Sequence, residues 1–486
     1  ATIDVCGGQK GEGPANTPAT YTVDAPISID DDLDMWVPTN KTLRLTGGFQ
    51  TEGGVAHSVV QKGTGTLELV NARFKGGLQH NLGGLLRLSG DIGVVGDNGV
   101  FSIKDAEAPS SYEEGTTKYY RTVNVGNTLL DNAVVHKPTT FGTCGQVMGR
   151  LVSSYEGWFS QTEGSTNVFC EFVKQTGSMR PLFDSNATVI FEKGYGDNAP
   201  TSGGTFNPGM KKGCTNSVLV FNGPLKLIKT DKTTNMSASG LENAGLTLVL
   251  GASSNVVVNS FSLNYYKTVC AADDAFVGVK RIELTGTVAD FATAIDLQDT
   301  YQRIADIHVN SGNGVITGEY PATIDFTSVT NETFATDGNH NFCPQMLSGW
   351  VKLAMSGTGY QIVGQKNMGF ASQSYGDIEV SNGTLELMPQ TTWLNGTNFI
   401  AKGEGKLKLS ATDKPQVGPL AVFHFADNGK VEIPAGVTVS VSAAFVEGAQ
   451  VGAGTYSAAT TEGPMVGRIT GEGRLRVRSG MMLILR

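Results

Sequence analysis

Residues 62–91 read Lys62-Gly-Thr-Gly-Thr-Leu-Glu-Leu-Val-Asn-Ala-Arg-Phe-Lys-Gly-Gly-Leu-Gln-His-Asn-Leu-Gly-Gly-Leu-Leu-Arg-Leu-Ser-Gly-Asp91. Two short alternating segments stand out, Thr66–Val70 and Leu85–Ser89, with turn residues between them. In an extended chain successive side chains point to opposite faces. Leu67 and Leu69 therefore share one face and Thr66 and Glu68 the other, and Leu86 and Leu88 repeat the arrangement with Arg87 outside. The step from Thr66 to Leu85 is too long for a tight hairpin and short for a strand–helix–strand unit. It fits one coil of a β-solenoid, a stack of repeats that each bury an apolar face against the next.

Working outward, Thr42-Leu-Arg-Leu45 precedes Thr66 by 24 residues and reads as the same element one coil earlier. Near the C-terminus, Thr384-Leu-Glu-Leu387 is followed by Lys406-Leu-Lys-Leu409 at a step of 22. A Gly-x-Gly-x-Leu signature precedes three such strands, at Gly63, Gly403 and Gly471. Glycine there supplies the positive φ of a turn and removes bulk that would hinder stacking. Shorter strand pairs, such as Ser217–Phe221 with Leu225–Ile228, fill the middle. The fold class expected is all-β, with residues 1–34 as lead-in and cap, a solenoid over 35–473 and a capping strand at 474–486. Irregular insertions are expected near 104–164 and 331–375, the first rich in Tyr, Glu and Thr, the second carrying His340, Cys343, Trp350 and Tyr360. Such departures from a repeat project from one face, often the binding face, or pack as irregular coils. A period near 22 predicts roughly 12–18 coils at ~4.8 Å each. Asp290–Asp306 is the best candidate for a helix, by apolar spacing.

Composition agrees: glycine is abundant at 63 residues, and charged residues make up only 17%, below the ~25% usual in soluble proteins. The net charge of −9 argues against nucleic acid, whose phosphates need a clustered basic surface, and leaves no polybasic segment for anionic membranes. No apolar run approaches the ~18 residues of a membrane span. The sequence starts Ala-Thr-Ile-Asp-Val rather than Met, which is the expectation for a leader already removed or a trimmed chain.

The stretch Gly63–Asn71, then Phe74-Lys-Gly-Gly, then Gly84–Asp91 resembles the autotransporter-associated β-strand repeat of bacterial secreted and surface-exposed passenger domains. The resemblance is partial at Asp377–Ser410 and Gly454–Val477. It implies a right-handed parallel β-helix, exported from a bacterium, that serves as a stalk, adhesin or surface structure. No C-terminal segment of alternating amphipathic strands follows as a membrane β-barrel would require, so self-translocation is not implied.

Parallel β-helices also host polysaccharide lyases and hydrolases, which set carboxylates on neighbouring coils. Asp273 and Asp274, followed by Lys280-Arg281, are the weak catalytic candidates. They resemble the paired aspartates of polygalacturonase-type enzymes, without the Gly-His-Gly or Asn-Thr-Asp elements; a solvated turn is the alternative. Asp30 and Asp32, in the run Asp30-Asp31-Asp32 with Asp34, are weak candidates for Ca²⁺, although strand alternation would divide them between faces. The alternative is a charged edge that discourages wrong pairing. The six histidines show no ligand spacing, and no nucleotide or serine-hydrolase motif is present. No cofactor is implied. The six cysteines show no zinc spacing; Cys144 and Cys170, about one coil apart, are within disulfide reach if coils stack, which points to an oxidising compartment, with buried free thiols as the other reading.

The function expected is a secreted or cell-surface structural or adhesive element that assembles with copies of itself through solenoid ends or edges. A carbohydrate-active β-helix enzyme and a non-catalytic glycan-binding module are the alternatives. Surface glycans are the other partners expected, because exposed aromatic rings stack on sugar faces.

Overall fold

The leucine rows pair as their spacing predicts. In this computed structural model Leu43, Leu67 and Leu86 are register partners, as are Leu45, Leu69 and Leu88. All six are buried, so each apolar row continues unbroken from one repeat to the next, while Arg44, Glu68 and Arg87 form the matching outer row. The residues described are 2–4, 18–51, 58–63, 65–74, 77–80, 85–94, 103–105, 112–114, 117–119, 128–136, 159–174, 181–196, 209–210, 215–226, 228–237, 246–253, 257–264, 267–277, 282–285, 293–304, 307–311, 314–327, 342–343, 346–364, 371–372, 374–389, 391–393 and 398–478. Among them the only regular structure is β-strand, and nearly all strand pairings are parallel.

The chain forms two units, 1–230 with 235–251 and 231–234 with 252–486. In the first, each repeat contributes strands to parallel ladders. One ladder runs Ala19–Val23, Lys41–Leu45, Thr66–Val70 and the first half of Leu85–Val94. A second runs Ile27–Ile29, Phe49–Thr51, Ala72–Phe74 and the second half of Leu85–Val94. A third joins Leu33–Trp36, Ser58–Lys62, Gly77–His80 and Ile103–Asp105. The described strands of the first ladder begin at Ala19, within the stretch expected as lead-in, and Thr2–Asp4 heads the third by pairing with Leu33–Trp36. Leu86 pairs next with Thr128, a long step that contains part of the expected insertion. Further along, Thr166–Phe169, Thr188–Phe191 and Ser217–Phe221 stack in register. Their inward Phe169, Phe191 and Phe221 rings stack at centroid spacings of 5.0 and 5.3 Å, close to the strand spacing.

Corners between ladders depend on residues that tolerate φ > 0. Asn71, Gly90 and Asn132 take φ of 54°, 65° and 53°, the left-handed region open to Gly and Asn. The asparagine side chains also reach along the stack: Asn71 Oδ1 accepts the Asp91 N–H at 3.0 Å, and Asn132 Oδ1 accepts the Thr166 N–H at 3.0 Å. A corner that opens the ladder thereby keeps its donors satisfied.

In the second unit one ladder runs Lys267–Cys270, Thr293–Asp296, Gly314–Gly318, Met346–Gly349, Ala371–Ser372 and Thr392–Trp393. A second runs Tyr301–Gln302, Thr323–Phe326, Lys352–Met355, Ile378–Val380, Asn398–Ala401, Val422–Phe425 and Ala443–Val446. A third runs from Val257–Asn264 to Ile469–Thr470, and in it Thr384 pairs with Lys406 as the sequence repeat predicts. Two antiparallel strands stand near the C-terminus: Ala449–Gln450 on Ala443–Val446 and Gly454–Ser457 on Arg474–Val477.

The Gly-x-Gly signature has a physical explanation at both positions. The first glycine has φ of 84°, 55° and 78° at Gly63, Gly403 and Gly471. At the second, a Cβ would lie 2.2 Å from Pro38 O at Gly65, 2.1 Å from Val380 O at Gly405 and 2.4 Å from Pro434 O at Gly473. The preceding repeat's backbone passes where a side chain would stand.

The expected helix at Asp290–Asp306 is not formed. Its described residues give strands Thr293–Asp296 and Tyr301–Gln302, joined by a turn with Gln298 at φ 51°. Ile295, Leu297 and Ile304 are buried, an apolar spacing produced by two strands and a turn rather than by one helical face.

Candidate functional site

The carboxylates singled out from sequence have separate structural tasks. Asp274, at φ 56°, receives Arg303 through Nε at 2.7 Å and Nη2 at 2.5 Å, a bidentate pair. Asp273 Oδ1 accepts the Tyr301 backbone N–H at 2.8 Å. Both side chains hold this turn to the next repeat. Lys280 and Arg281 lie outside the described residues. Asp30, Asp31 and Asp32 are exposed between Ile27–Ile29 and Leu33–Trp36, and the Asp32 N–H donates to Asp31 Oδ1 at 2.8 Å. Among the described residues no three or more His, Cys, Asp or Glu side chains converge enough to hold a metal ion. Cys170 carries a free thiol, as does the fully buried Cys270. The expected bridge between Cys170 and Cys144 is therefore without support, and Cys144 itself lies outside the described residues.

Among the described residues, a rich grouping of polar side chains lies on the outer face of the ladder from Tyr301–Gln302 to Ala443–Val446. Because this face repeats at every rung, side chains from different turns of the chain meet along it. Glu379 receives Lys352 at 2.5 Å from one side and Lys402 at 2.7 Å from the other. Burial pushes its carboxyl up, but hydrogen bonds from the two ammonium groups and their charge outweigh that and hold it at about 2. Asp325, buried, accepts the Tyr301 hydroxyl, the Ser356 hydroxyl at 2.8 Å and the Ser356 N–H at 3.0 Å. Burial raises the Tyr301 phenol well above its usual range, and the bond to Asp325 adds to it. Further along, Asp377 accepts from both the N–H and the side-chain amide of Asn398, whose Oδ1 lies 3.2 Å from His424 Nε2. The His424 ring stacks on Phe445 at 5.1 Å, and burial lowers its pKa while Asp377 pulls weakly the other way.

A similar cluster lies on the neighbouring ladder. The buried Glu386 accepts the hydroxyls of Tyr360 and Ser410 and pairs with Lys408 at 3.2 Å. Burial and the bond to Glu386 push the Tyr360 phenol up to about 12. A carboxylate so fully engaged by donors is suited to holding strands together, and a phenol so high is a poor base near neutral pH.

The corner that leads into the first of these faces is aromatic. Tyr320 and Tyr375 are 73% and 61% exposed, with the half-buried Trp350 between them. The backbone fixes the order: Trp350 N–H donates to Gly318 O at 2.9 Å, and Tyr375 N–H to Gly349 O at 2.9 Å. Tyr320 and Trp350 meet edge to face with centroids 4.6 Å apart. Trp350 and Tyr375 lie within 331–375, the span expected either to project or to pack as irregular coils, whereas Tyr320 lies outside it. Aligning the corners that follow Gly318, Gly349 and Ser372 is the signal that groups them; it is masked because the corner lengths differ.

Compared with family models, with curated proteins and with solved structures, the chain matches none.

Proposed function

We propose that the chain is a right-handed parallel β-helix of the type the passenger-like repeat implies, acting as a secreted or cell-surface structural and adhesive element. The observation that carries this reading is the use made of charged side chains. Arg44–Glu68–Arg87 in the first unit and Lys352–Glu379–Lys402 in the second bind one rung to the next along the stack. Such groups reinforce a scaffold, and the Asp273–Asp274 turn is built in the same way. Terminal rungs of such a stack offer strand edges to further copies, which favours assembly into a filament or layer.

Electron microscopy of the full chain over a range of concentrations tests the assembly. Ordered fibres or sheets are expected, and single particles at every concentration would overturn it. Protease treatment of intact producing cells tests the location: the chain is expected to be cleaved while cytoplasmic markers survive, and protection equal to theirs would overturn it.

A further inference from the structure

We infer that the corner formed by Tyr320, Trp350 and Tyr375 binds an uncharged glycan chain. This rests on the adhesive part of the reading above and adds the ligand class and the site.

The three residues occupy consecutive rungs, about 4.8 Å apart, on a backbone locked by ladder bonds on both sides. A rigid corner that carries an aromatic residue on each of three consecutive rungs suits a ligand that itself repeats. Tyrosine and tryptophan offer an apolar face beside a polar atom, which matches a sugar's C–H face and its hydroxyl rim. The surroundings argue for an uncharged polymer. Lys352 and Lys402 are paired to Glu379, and Arg303 to Asp274, so these three cations of the adjoining ladder are already neutralised. Glu319, exposed beside Tyr320, adds a carboxylate that accepts hydrogen bonds from hydroxyls and repels anionic polymers. A protein partner fits less well: three aromatic residues at one corner make a narrow strip, whereas stable protein interfaces take about 20–30 residues a side.

The test is native gel electrophoresis of the full chain in gels containing hydroxyethylcellulose, laminarin or glycol chitin, with dextran sulfate as the anionic comparison. Retardation is expected in at least one neutral gel and not in dextran sulfate. Replacing both exposed rings, Tyr320→Ser with Tyr375→Ser, is expected to weaken it about tenfold or more with an unchanged far-ultraviolet circular dichroism spectrum. Trp350→Tyr, which keeps a ring, is expected to retain part of the binding. The inference is overturned by no retardation in any neutral gel, by retardation in dextran sulfate alone, or by a double variant that binds as the parent does. It is also overturned if the double variant loses self-association in sedimentation velocity, which would make the corner a contact between copies. Cell-surface cleavage by protease is read independently, so a failure to bind glycan leaves the surface reading standing.

Discussion

Lys352 Nζ lies 2.5 Å from Glu379 Oε2, and the two residues belong to adjacent strands of one parallel ladder. Lys402, on the far side, meets the other carboxylate oxygen at 2.7 Å. The acid is thus held between two cations by strands from three successive repeats.

This arrangement sets a pH dependence. With its folded pKa held at about 2 and an unfolded value near ~4.3, Glu379 contributes stability that is present above the unfolded value. That contribution is lost as pH falls from there towards 2. We expect roughly 1–2 kcal/mol, discounted because Lys402 is partly in water. Urea midpoints measured between pH 6 and pH 3 should fall less steeply in Glu379→Gln than in the parent. Equal slopes would contradict the assignment.

The Gly-x-Gly signature makes a sharper prediction. Gly405→Ala would set a Cβ 2.1 Å from Val380 O and should cost more than about 2 kcal/mol by overpacking against backbone. Gly436→Ala is the control, since φ there is 77° but nothing lies within 4 Å. It should lose only about 1 kcal/mol to conformation. Comparable losses at both sites in chemical denaturation would show that close approach is not what the second glycine provides.

At the first unit's corner, Asn71→Ala removes both the tolerance of φ 54° and the acceptor for Asp91 N–H. A loss of about 1–2 kcal/mol is expected. Asn71→Gly keeps the conformation and should lose less. If glycine proved as harmful as alanine, the hydrogen bond alone would account for the asparagine.

Phe191 lies between Phe169 and Phe221 in the buried ring stack. Truncation to alanine should cost about 3–5 kcal/mol, read from the denaturant midpoint of the transition that reports this unit. A loss under 1 kcal/mol would mean that the neighbouring rings close the gap.

Cys270 is fully buried, and burial pushes its thiol far above the usual range; Cys170 is partly exposed with a smaller rise of the same cause. Under native conditions iodoacetamide should modify Cys170 well before Cys270, as followed by peptide mass spectrometry. Faster labelling of Cys270 would place it elsewhere than the core.

How much of this was legible in the sequence depended on whether the signal was local. Alternation at Thr66–Val70 and Leu85–Ser89, with like residues about twenty positions away, gives both the strand faces and their register. A one-residue slip would have turned Leu67 and Leu69 to water. The stretch around Ile295 and Leu297 misled because two strands and a turn reproduced helical spacing. The aromatic corner was hidden for a related reason. Tyr320 and Tyr375 are 55 residues apart and become neighbours of Trp350 only once each rung has been placed. A one-coil spacing such as that of Cys144 and Cys170 does not by itself bring two sulfurs together, since side-chain direction also decides whether they meet.

The parallel ladders have one more consequence. Within each unit a strand bonds mainly to the strand one circuit before it and one circuit after. A newly completed circuit can therefore use the previous one as its template, without waiting for distant parts of the sequence. Such a chain is suited to acquiring structure progressively, each repeat on the one before it, as it emerges from a ribosome.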